Sequence, residues 1–587
     1  MTVTTEEASR TDLLLRVLSA LLREDVVGLR SRSTPVEEPD GTWLRLTAAD
    51  GGALLLPVRA DGFQCATAAR LPLLRREPDG AELTTAEGIL DALAALADQE
   101  DRAGFAAFLD ECHDALDALR LHAETRDEIA GLLSARHGDD PADWTGPAGG
   151  LAHDTLAARA DHPVYPTARG RSGLTPRQLR QYAPEFHPRF PLRWLALPKD
   201  AVTAQGLHPD RDGVWPAPSV LGLPGALDAS HLTLPVHPLT AEGPLREALR
   251  ATGLDTKAFL ADRPHLQAVP TLSMRTVALT AHPRVHLKLP LATSTLGLLN
   301  RRTIKPGSLC DGAAGQRLLE TVIAREPRFR GTVLHADETA FAHAGHELLA
   351  ALRRILPAGL DDAVVVPLAG LLGRAPGGRL VIDRLADRFY DGDPLALLDA
   401  LLTLLLDWQT TLFGYGIALE SHQQNISLVL DTAAGSPRLR LLLKDNDGPR
   451  INAARLRAAL GPDAPGPAAF DDRRIFGDSD GPVTDLFTTI TVHLCAGAYA
   501  FGLAAHGRAP LERLLALVRD RLGEAVERLG TRPGQPGAVL RAQVLDAPRL
   551  PVKAMVTAGT LLTKARSGAA DINKHYTTGP NYLLRGA

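Results

Sequence analysis

One segment constrains the fold of this chain more than any other: a long apolar run that leads through a polar loop into a hairpin. The run is Leu395–Phe413, and Asp399 and Asp407 interrupt it. A membrane span needs about 20 nearly uncharged residues, so we interpret the run as a buried helix of a soluble protein. The hairpin strands are predicted at Asn425–Asp431 and Pro437–Lys444, with Thr-Ala-Ala-Gly-Ser as the turn.

Ligand-type side chains cluster at one end of this predicted hairpin. Glu420, His422, Gln424 and Asn425 lie in the loop before it, and Asp445 follows its return strand. Strand pairing places Asn425 and Asp445 at the same end, where amide and carboxylate oxygens suit a Mg²⁺ ion that bridges phosphates. Protein kinases use the same order of Asn and Asp, so a small-molecule kinase with such a metal site is one alternative. A loop that only caps the helix and the hairpin is another.

The composition is that of a globular protein and argues against several classes of function. The 587 residues are enough for three or four domains. With a net charge of −5 and no run of Lys and Arg, we expect no nucleic-acid partner. The four cysteines are far apart and form no CxxC pair, which argues against a disulfide framework or a zinc ribbon and fits a reducing compartment. The chain starts with the polar residues MTVTTEEASR, which do not resemble a signal peptide, so we expect a cytoplasmic protein with no membrane partner.

Periodicity predicts a helical N-terminal part, a mixed middle and a mainly helical C-terminal part. Pro and Gly at Thr145–Leu151 mark a boundary after the first part. The middle, Ala152–Asp383, is rich in Pro, and long helices dominate from Pro394. The predicted elements are helices at Leu13–Leu22, Ala86–Ala97, Ala103–Leu121 and Asp127–Arg136, and strands at Trp43–Thr47, Ala53–Val58, Thr271–Leu279 and Arg284–Leu291.

Two further groups of side chains could carry chemistry. The Pro- and Gly-rich loop His162–Gly173 contains Arg169 and Arg171, which together offer a fork for a carboxylate or phosphate. Arginines that are only solvated are the alternative. The run His343–Glu347 contains two histidines and a glutamate, but it lacks the HExxH spacing and a third ligand, so we expect an ordinary helical stretch.

Taken together, the motifs are similar to those of one known family. Gly416–Asn425 matches the pattern G-I-A-L-E-x-H-x-Q-N, and Lys444–Gly448 resembles R-D-x-x-G. Earlier, Asp161–Leu174 is similar to G-H-P-x-H-P-x-x-K-x-R-x-G-F, Leu234–Pro238 matches H-P-W-Q in part, and Lys288–Arg302 matches a segment with Lys, Thr and Arg. In this order the motifs resemble the NRPS-independent siderophore (NIS) synthetases of the IucA/IucC (aerobactin synthetase) family.

The resemblance implies an α+β fold shaped like a cupped hand. Residues 1–148 would form a helical thumb, residues 149–385 antiparallel-sheet fingers, and residues 386–587 a mainly helical palm. It also implies an ATP- and Mg²⁺-dependent ligase that adenylates citrate, a citrate derivative or 2-oxoglutarate and releases pyrophosphate. An amine, hydroxylamine or alcohol then displaces AMP. Similar enzymes are commonly dimers, so we expect a homodimer. A non-catalytic protein that binds citrate or its iron complex is the remaining alternative.

The resemblance also implies roles for residues at the matching motif positions. Tyr165 stands where the family has a second His, and Arg169 where it has Lys, which bears on substrate orientation and not on adenylation. The site arginine is either Arg301 or Arg302. The implied ATP ligands are Ser273, Arg275, Lys288, Thr295, Gln424, Asn425 and Asp445; the Mg²⁺ ligands are Glu420, Asn425 and Asp445; the substrate ligands are Tyr165, Arg169, Arg171 and His422; and the catalytic residues are His162, Arg301, Arg302 and His422.

Strand geometry adds an expectation about two of these cations, Arg275 and Lys288. If Leu279 pairs with Arg284 across a short loop, Arg275 lies directly opposite Lys288. Two opposed cations repel each other, so we expect an anion between them, and the ATP phosphates are the candidate. A solvated strand face is the alternative.

Overall fold

The computed structural model describes residues 5–49, 51–207, 214–568 and 575–586. It has 46% helix and 22% strand, so the predicted α+β class is confirmed. The largest apolar core cluster includes residues from the first helix and from the helices of the last third of the chain. The two ends of the sequence therefore pack into one core.

The N-terminal part is built from an amphipathic helix, a sheet and a helical layer, as periodicity predicted. In the first helix, Thr5–Arg23, the residues Leu14, Leu18 and Leu21 are buried, which is the stripe that helical spacing implies. This helix packs against the strand Thr67–Ala69. The other strands are Ser33–Glu38, Gly41–Thr47, Ala53–Ala60, Leu74–Glu77 and Glu82–Leu83, and the helices that follow are Ala86–Leu96, Arg102–Glu124, Arg126–His137, Gly146–Ala158 and Pro176–Tyr182.

The middle of the chain forms a large antiparallel sheet, which has nine strands within the described ranges. Helix Pro306–Arg325 packs against its strand Asp337–His343. The shorter helices of this part are Leu227–Ser230, Pro238–Ala241 and Pro244–Ala251. Across the sheet the strands are Phe259–Leu260, Phe190–Pro198, His265–Pro270, Thr276–Leu279, His282–Lys288, Ala350–Ile355, Asp337–His343 and Thr203–Gln205, with His231–Val236 also paired to Phe190–Pro198.

The hairpin that carries Lys288 differs from the prediction by one residue in register. Met274 has a left-handed φ of 62°, and the strand begins only at Thr276. A bulge near the turn shifts the pairing, so that Thr276 and not Arg275 faces Lys288. A shift of one residue exchanges the two faces of a strand. The expectation of two directly opposed cations was therefore wrong.

The run His343–Glu347 is the end of a strand followed by a turn, and the predicted helical stretch was wrong. Its first residue closes the strand Asp337–His343. Strand pairing in the large sheet overrides the local helix propensity of this run. The described residues contain no group of three or more His, Cys, Asp or Glu side chains that could hold an ion.

The last part of the chain is mainly helical and carries the predicted hairpin. Its strands, Ile426–Ala433 and Ser436–Leu443, extend further toward the tip than predicted, because Ala434 and Gly435 alone form the turn. Both have positive φ, 51° and 81°, as two-residue hairpin turns require. The remaining helices are Val381–Phe389, Pro394–Gly414, Ala453–Leu460, Gly481–Leu486, Phe487–Gly497 (π), Ala498–Ala505, Leu511–Arg528, Pro536–Leu540, Arg541–Leu545 (π), Thr557–Leu561 (π) and Lys564–Ser567, and the remaining strands are Val333–His335, Val364–Pro367, Ile417–Ala418, Arg450–Asn452, Phe476–Gly477, Arg549–Lys553 and Tyr576–Pro580.

Two helical segments within the described residues, Pro394–Gly414 and Gly481–Ala505, are long and apolar enough to cross a membrane by length and composition. Their most apolar windows are 61% and 89% buried inside the protein. Leu401, Leu405 and Trp408 of the first segment have no exposed surface. This burial is that of core helices, as we interpreted the first segment from its sequence.

The predicted domain boundaries fall inside helices. The boundary at 148/149 lies within Gly146–Ala158, and that at 385/386 within Val381–Phe389. The division into thumb, fingers and palm stays a prediction. The C-terminal segment returns to the N-terminal part, where the buried Glu24 carboxylate accepts the N–H groups of Val556 and Thr557 over 3.1 and 2.8 Å.

Candidate active site

A buried ion pair joins the large sheet to the end of the C-terminal hairpin. Lys288, the last residue of its strand, donates from Nζ to Oδ1 of Asp445 over 2.5 Å, and its Nζ lies 3.4 Å from Oδ2 of Asp447. The Lys288 side chain is 6% exposed and that of Asp445 is 17% exposed. A residue predicted to bind ATP and a residue predicted to bind Mg²⁺ thus lie in contact.

A second buried pair, Arg354 and Glu338, holds Asp445 in place. Arg354 Nε donates to Glu338, and Arg354 Nη2 lies 3.2 Å from Oδ2 of Asp445. Glu338 Oε2 accepts the backbone N–H of Asp445 over 2.9 Å. Burial acts to raise the pKa of Asp445, but Lys288, Arg354 and Arg275 together hold that pKa well below its usual range. The Asp445 carboxylate is therefore ionised at neutral pH.

The backbone is strained at two points of this site. Asp445 has a left-handed φ of 59°, and Met274, the neighbour of Arg275, has one of 62°. Such conformations cost non-glycine residues on the order of 1–3 kcal/mol each and persist where the surroundings fix them. Strain of this kind concentrates at functional sites.

Two partly buried arginines add positive charge to the same cluster. Arg275 Nη1 donates to the carbonyl oxygen of Thr303 over 2.6 Å. Burial lowers the pKa of Arg275, while Asp445 and Asp447 act to raise it. Burial, with the nearby charge of Arg275, lowers the pKa of Arg302 to about 9. Both guanidinium groups remain charged at neutral pH.

The doublet of Arg301 and Arg302 separates into one surface residue and one site residue. The Arg301 side chain is 60% exposed, and its Nη1 pairs with Oε1 of Glu347 at 3.2 Å. Arg302 is buried within electrostatic reach of Arg275 and Asp445. The structure thus places Arg302, and not Arg301, in the cluster of buried charges.

The loop Glu420–Asn425 lies beside this cluster. Asn425 Nδ2 donates to the backbone oxygen of Glu420 over 3.1 Å, which directs Oδ1 away from that carbonyl, as a metal ligand requires. The Glu420 carboxylate lies 3.4 Å from Nζ of Lys553 in a C-terminal strand. This ion pair ties the loop to the last part of the chain.

Two partly buried histidines complete the polar surface. Burial lowers the pKa of His422 to about 4. Its Nδ1 accepts the N–H of Gln424 over 3.3 Å, so the neutral ring carries its proton on Nε2. Burial, with His422 as the next cause, lowers the pKa of His162 to about 3, and its Nδ1 accepts two backbone N–H groups of its own loop. Both rings are neutral at pH 7.

The arginine fork predicted for the substrate is engaged by carboxylates of the protein. Arg169 Nε donates to Asp161 over 2.8 Å, and Arg171 Nη2 donates to Glu185 over 2.6 Å. The second pair is buried, with side chains that are 9% and 2% exposed. Arg171 lies near enough to Arg302 to influence its pKa. The role of both arginines as substrate ligands stays a prediction.

Three other predicted residues take part in local structure. Tyr165 is fully buried, and its hydroxyl donates to Glu111 over 2.9 Å. The Thr295 carbonyl accepts from Asn300 Nδ2 over 2.8 Å, and Ser273 Oγ accepts the N–H three residues on over 3.1 Å. Their ligand roles stay predictions, and Tyr165 lies in the core and not on the polar surface of the site.

The oxygen ligands fit a Mg²⁺ ion that arrives with phosphates better than a preformed metal cage. Asp445 is ionised, and Asn425 and Glu420 add an amide and a carboxylate oxygen. Mg²⁺ usually takes one or two protein carboxylates and completes its octahedron with water and substrate phosphates. This matches the absence of a larger cluster of ligand-type side chains from the described ranges.

Sequence reasoning missed Glu338, Arg354 and Lys553. Glu338 and Arg354 lie on neighbouring strands of the large sheet, and Lys553 is 133 residues from its partner Glu420. No local pattern marks them, because only long-range pairing brings them to the site. Asp447 could have been found, since it stands in the same motif as Asp445.

Comparisons with known proteins give the context of this site. Residues 154–373 match the model of the IucA / IucC family, and residues 395–567 match a model described as ferric iron reductase FhuF-like transporter. The chain is 28% identical over 320 residues to the uncharacterized protein y4xN of Sinorhizobium fredii, covering 50% of each. It is 27% identical over 488 residues to the rhizobactin siderophore biosynthesis protein RhbC of Rhizobium meliloti, covering 72% of this chain and 75% of RhbC. The match thus spans about half the length of y4xN.

Solved structures match along nearly the whole chain. The petrobactin biosynthesis protein AsbB of Bacillus anthracis superposes with a TM-score of 0.75 at 18% identity, covering 99% of this chain and 96% of AsbB. ATP-bound aerobactin synthetase IucA of Klebsiella pneumoniae superposes with a TM-score of 0.69 at 19% identity, covering 97% and 99%. This likeness establishes the fold, and the predicted cupped-hand architecture agrees with it.

The motifs, the family match and the fold thus agree in their likeness to the NIS siderophore synthetases. The model of the IucA / IucC family matches residues 154–373, the part of the chain that carries the earlier motifs, and this match agrees with the motif resemblance.

Proposed function

We propose that this protein is an ATP- and Mg²⁺-dependent ligase of siderophore biosynthesis. It adenylates a carboxylate of citrate, a citrate derivative or 2-oxoglutarate and condenses it with an amine, hydroxylamine or alcohol, releasing AMP and pyrophosphate. The observation that carries the proposal is the buried cluster of Lys288, Arg275 and Arg302 around the ionised Asp445. The matched IucA structure has ATP bound, which supports ATP as the nucleotide.

The cluster suits a reaction between two anions. A carboxylate and a triphosphate repel each other, so they approach only where fixed positive charge offsets the repulsion. Arg275 is held by its hydrogen bond to the Thr303 carbonyl oxygen, and Lys288 is held by Asp445. Fixed charges need little reorganisation during the reaction, which makes them effective at stabilising charge in the transition state.

Asp445, Asn425 and Glu420 would hold the Mg²⁺ ion. When bound, the ion would offset phosphate charge beside the buried cations. Lys288 would then share Asp445 with the metal ion, and its positive charge would also act on the phosphates. The 2.5 Å contact keeps the Lys288 ammonium in position for both roles.

His422 is placed to bind the carboxylate substrate or the charge that develops on it. Its ring is neutral at pH 7, and its Nε2–H is the available donor, since Nδ1 accepts a backbone N–H. A neutral donor holds an anion without neutralising it. Arg302, within electrostatic reach of His422, adds the charge that the ring lacks.

Product analysis tests the proposal against the kinase alternative. The protein is incubated with ATP, Mg²⁺ and each candidate acid, with hydroxylamine as a surrogate acceptor. We expect AMP, pyrophosphate and a hydroxamate in equal amounts for at least one acid. ADP and phosphate without a hydroxamate would favour the kinase, and binding of citrate without any turnover of ATP would favour the non-catalytic reading.

We also propose a cytoplasmic homodimer. Its substrates, small carboxylic acids and amines or alcohols, are metabolites of that compartment. Sedimentation analysis of the full chain measures the assembly directly, and a single species at 62.6 kDa over the accessible concentration range contradicts the dimer.

A further inference from the structure

A cavity of about 290 Å³ lies in the last part of the chain, next to the loop that carries Glu420. Its lining includes the charged residues Arg450, Arg474 and Asp485, the apolar residues Phe476 and Val483, and the phenol of Tyr576. This volume is near the lower end of the range for small-molecule sites. The residues predicted for ATP, Mg²⁺ and the carboxylic acid do not line it.

Two strand pairings connect residues that line this cavity to the loop Glu420–Asn425. Arg450 pairs with Ala418, at the end of the short strand that leads directly into Glu420. Tyr576 pairs with Lys553, whose Nζ lies 3.4 Å from the Glu420 carboxylate. Two lining residues, Arg450 and Tyr576, are therefore paired with strands that lead to Glu420 or to its ion-pair partner Lys553.

The cavity presents opposite charges that are not paired with each other. Arg450 Nη1 donates to the carbonyl oxygen of Arg474 over 2.6 Å, which fixes the guanidinium at the wall. Arg450 also lies within electrostatic reach of the Asp472 carboxylate, which is itself paired with Arg474. Burial raises the pKa of Asp485. A partly buried carboxylate is costly without a cation beside it, and a ligand ammonium group would relieve that cost at Asp485 while the ligand carboxylate faces Arg450.

Tyr576 links this pair of charges to the reaction site. Burial raises the pKa of its hydroxyl, and Glu420 and then Asp485 raise it further, so both carboxylates lie within electrostatic reach of one phenol. The hydroxyl therefore stays protonated and can donate a hydrogen bond between the cavity and the active loop.

We propose that the cavity binds the acceptor substrate by a zwitterionic amino-acid head, with Asp485 taking the ammonium group and Arg450 the carboxylate. This assignment rests on the proposed ligase function. A second nucleophilic group of the acceptor, an amine, hydroxylamine or hydroxyl, reaches past Tyr576 to the acyl adenylate. Its lone pair forms a C–N or C–O bond to the carbonyl carbon, the C–O bond to AMP breaks, AMP leaves with the electron pair, and the proton of the nucleophile passes to solvent.

Binding of three matched amines to the full chain tests the assignment. Lysine carries both charges of the head, cadaverine lacks the carboxylate, and 6-aminohexanoate lacks the α-ammonium group. By calorimetry we expect lysine to bind at least about 10-fold more tightly than either analogue, the scale of a hydrogen bond between charged groups. Equal binding of the three, or no binding of lysine at millimolar concentration, overturns the assignment.

Variants connect each charge to its residue. Arg450→Gln should weaken the binding of lysine about 10-fold and leave the binding of cadaverine unchanged. Asp485→Asn should weaken the binding of lysine and leave the binding of 6-aminohexanoate unchanged. Arg473→Gln and Asp478→Asn are the matched controls, since both residues are exposed on the same segment and do not line the cavity. Equal effects of site and control variants would contradict the proposal. If a site variant fails to fold, the three-amine comparison on the unaltered protein still decides.

The binding experiment is separable from the ligase proposal, because it needs neither ATP nor a carboxylic acid. Hydroxylamine trapping reports adenylation without an amino-acid acceptor. If hydroxylamine trapping succeeds and the three amines bind with equal affinity, only the cavity assignment is contradicted. If lysine binds more tightly than both analogues but no pyrophosphate is released, the ligase proposal is contradicted and the cavity remains an amino-acid site.

Discussion

Lys288 Nζ and Asp445 Oδ1 lie 2.5 Å apart, although 157 residues separate them in the sequence. The contact joins the large sheet to the end of the C-terminal hairpin, and Arg354 and Glu338 surround it. A cation implied for ATP and a carboxylate implied for Mg²⁺ thus neutralise each other. The arrangement holds the Asp445 carboxylate ionised and both side chains aligned before a substrate binds.

Replacing Asp445 with Asn should reduce both activity and stability. Removing one partner of a buried pair leaves uncompensated charge, here on Lys288 and Arg354, and costs about 3 kcal/mol of unfolding free energy. Urea unfolding and pyrophosphate release measure the two effects. Asp447→Asn is the control, because Asp447 is 34% exposed and 3.4 Å from Lys288, and it should cost less. An unchanged unfolding midpoint for Asp445→Asn would show that the pair contributes no stability.

The neighbouring residues Arg301 and Arg302 offer a matched comparison. Arg302→Gln should lower turnover by roughly 100-fold, the scale expected when one group that stabilises transition-state charge is lost. Arg301→Gln should retain nearly full turnover, since that side chain lies at the surface on Glu347. Steady-state kinetics at saturating ATP measure both variants. The reverse order of effects would place Arg301 in the site.

The secondary structure of the C-terminal part could largely be predicted from the sequence, because its signals are local. The apolar run around Trp408 and the alternation after Asn425 gave the buried helix and the hairpin. The strand register at Lys288 could not be predicted from the sequence. The left-handed backbone of Met274 and a bulge near the turn set this register, and neither has a reliable sequence signature. Motif matching assigned Asp445 and Lys288 to one site. It could not reveal their direct contact, or the contacts of Arg354 and Glu338 with Asp445, because these depend on strand pairing between distant parts of the chain.

His422 is expected to affect rate far more than stability. His422→Ala should lower turnover by at least about 100-fold, the lower end of the range for groups that act on protons or developing charge. The exposed His282→Ala is the control. Thermal melts monitor the fold, and pyrophosphate release with hydroxylamine monitors the rate. A folded His422→Ala protein with normal kinetics would remove this residue from the site.

Buried neutral histidines should make the fold sensitive to acid. Below pH 6.5 the unfolded chain takes up protons that the folded protein does not, so stability falls as pH drops toward the lowered folded pKa values. Each such histidine contributes a slope of up to about 1.4 kcal/mol per pH unit. Within the described part of the chain, eight histidines have pKa values lowered to about 3 or 4: His153, His162, His187, His237, His286, His335, His422 and His493.

His237→Asn isolates one of these groups. His237 Nδ1 accepts the N–H of Leu239 at the start of a helix, a role that Asn can also fill. The unfolding free energy of the variant should therefore fall less steeply than that of the parent between pH 6.5 and 4. Denaturant unfolding at several pH values gives both slopes. Parallel slopes would mean that His237 titrates alike in both states.

The fate of the carboxylate oxygen tests the central claim most directly. The acid that supports turnover is labelled with ¹⁸O in its carboxylates and incubated with the protein, ATP, Mg²⁺ and hydroxylamine. If the carboxylate attacks the α-phosphate, one labelled oxygen remains on the phosphate when the acceptor displaces AMP, so mass spectrometry should find ¹⁸O in AMP and none in pyrophosphate. Label in inorganic phosphate, together with unlabelled ADP, would show attack at the γ-phosphate and would contradict adenylation.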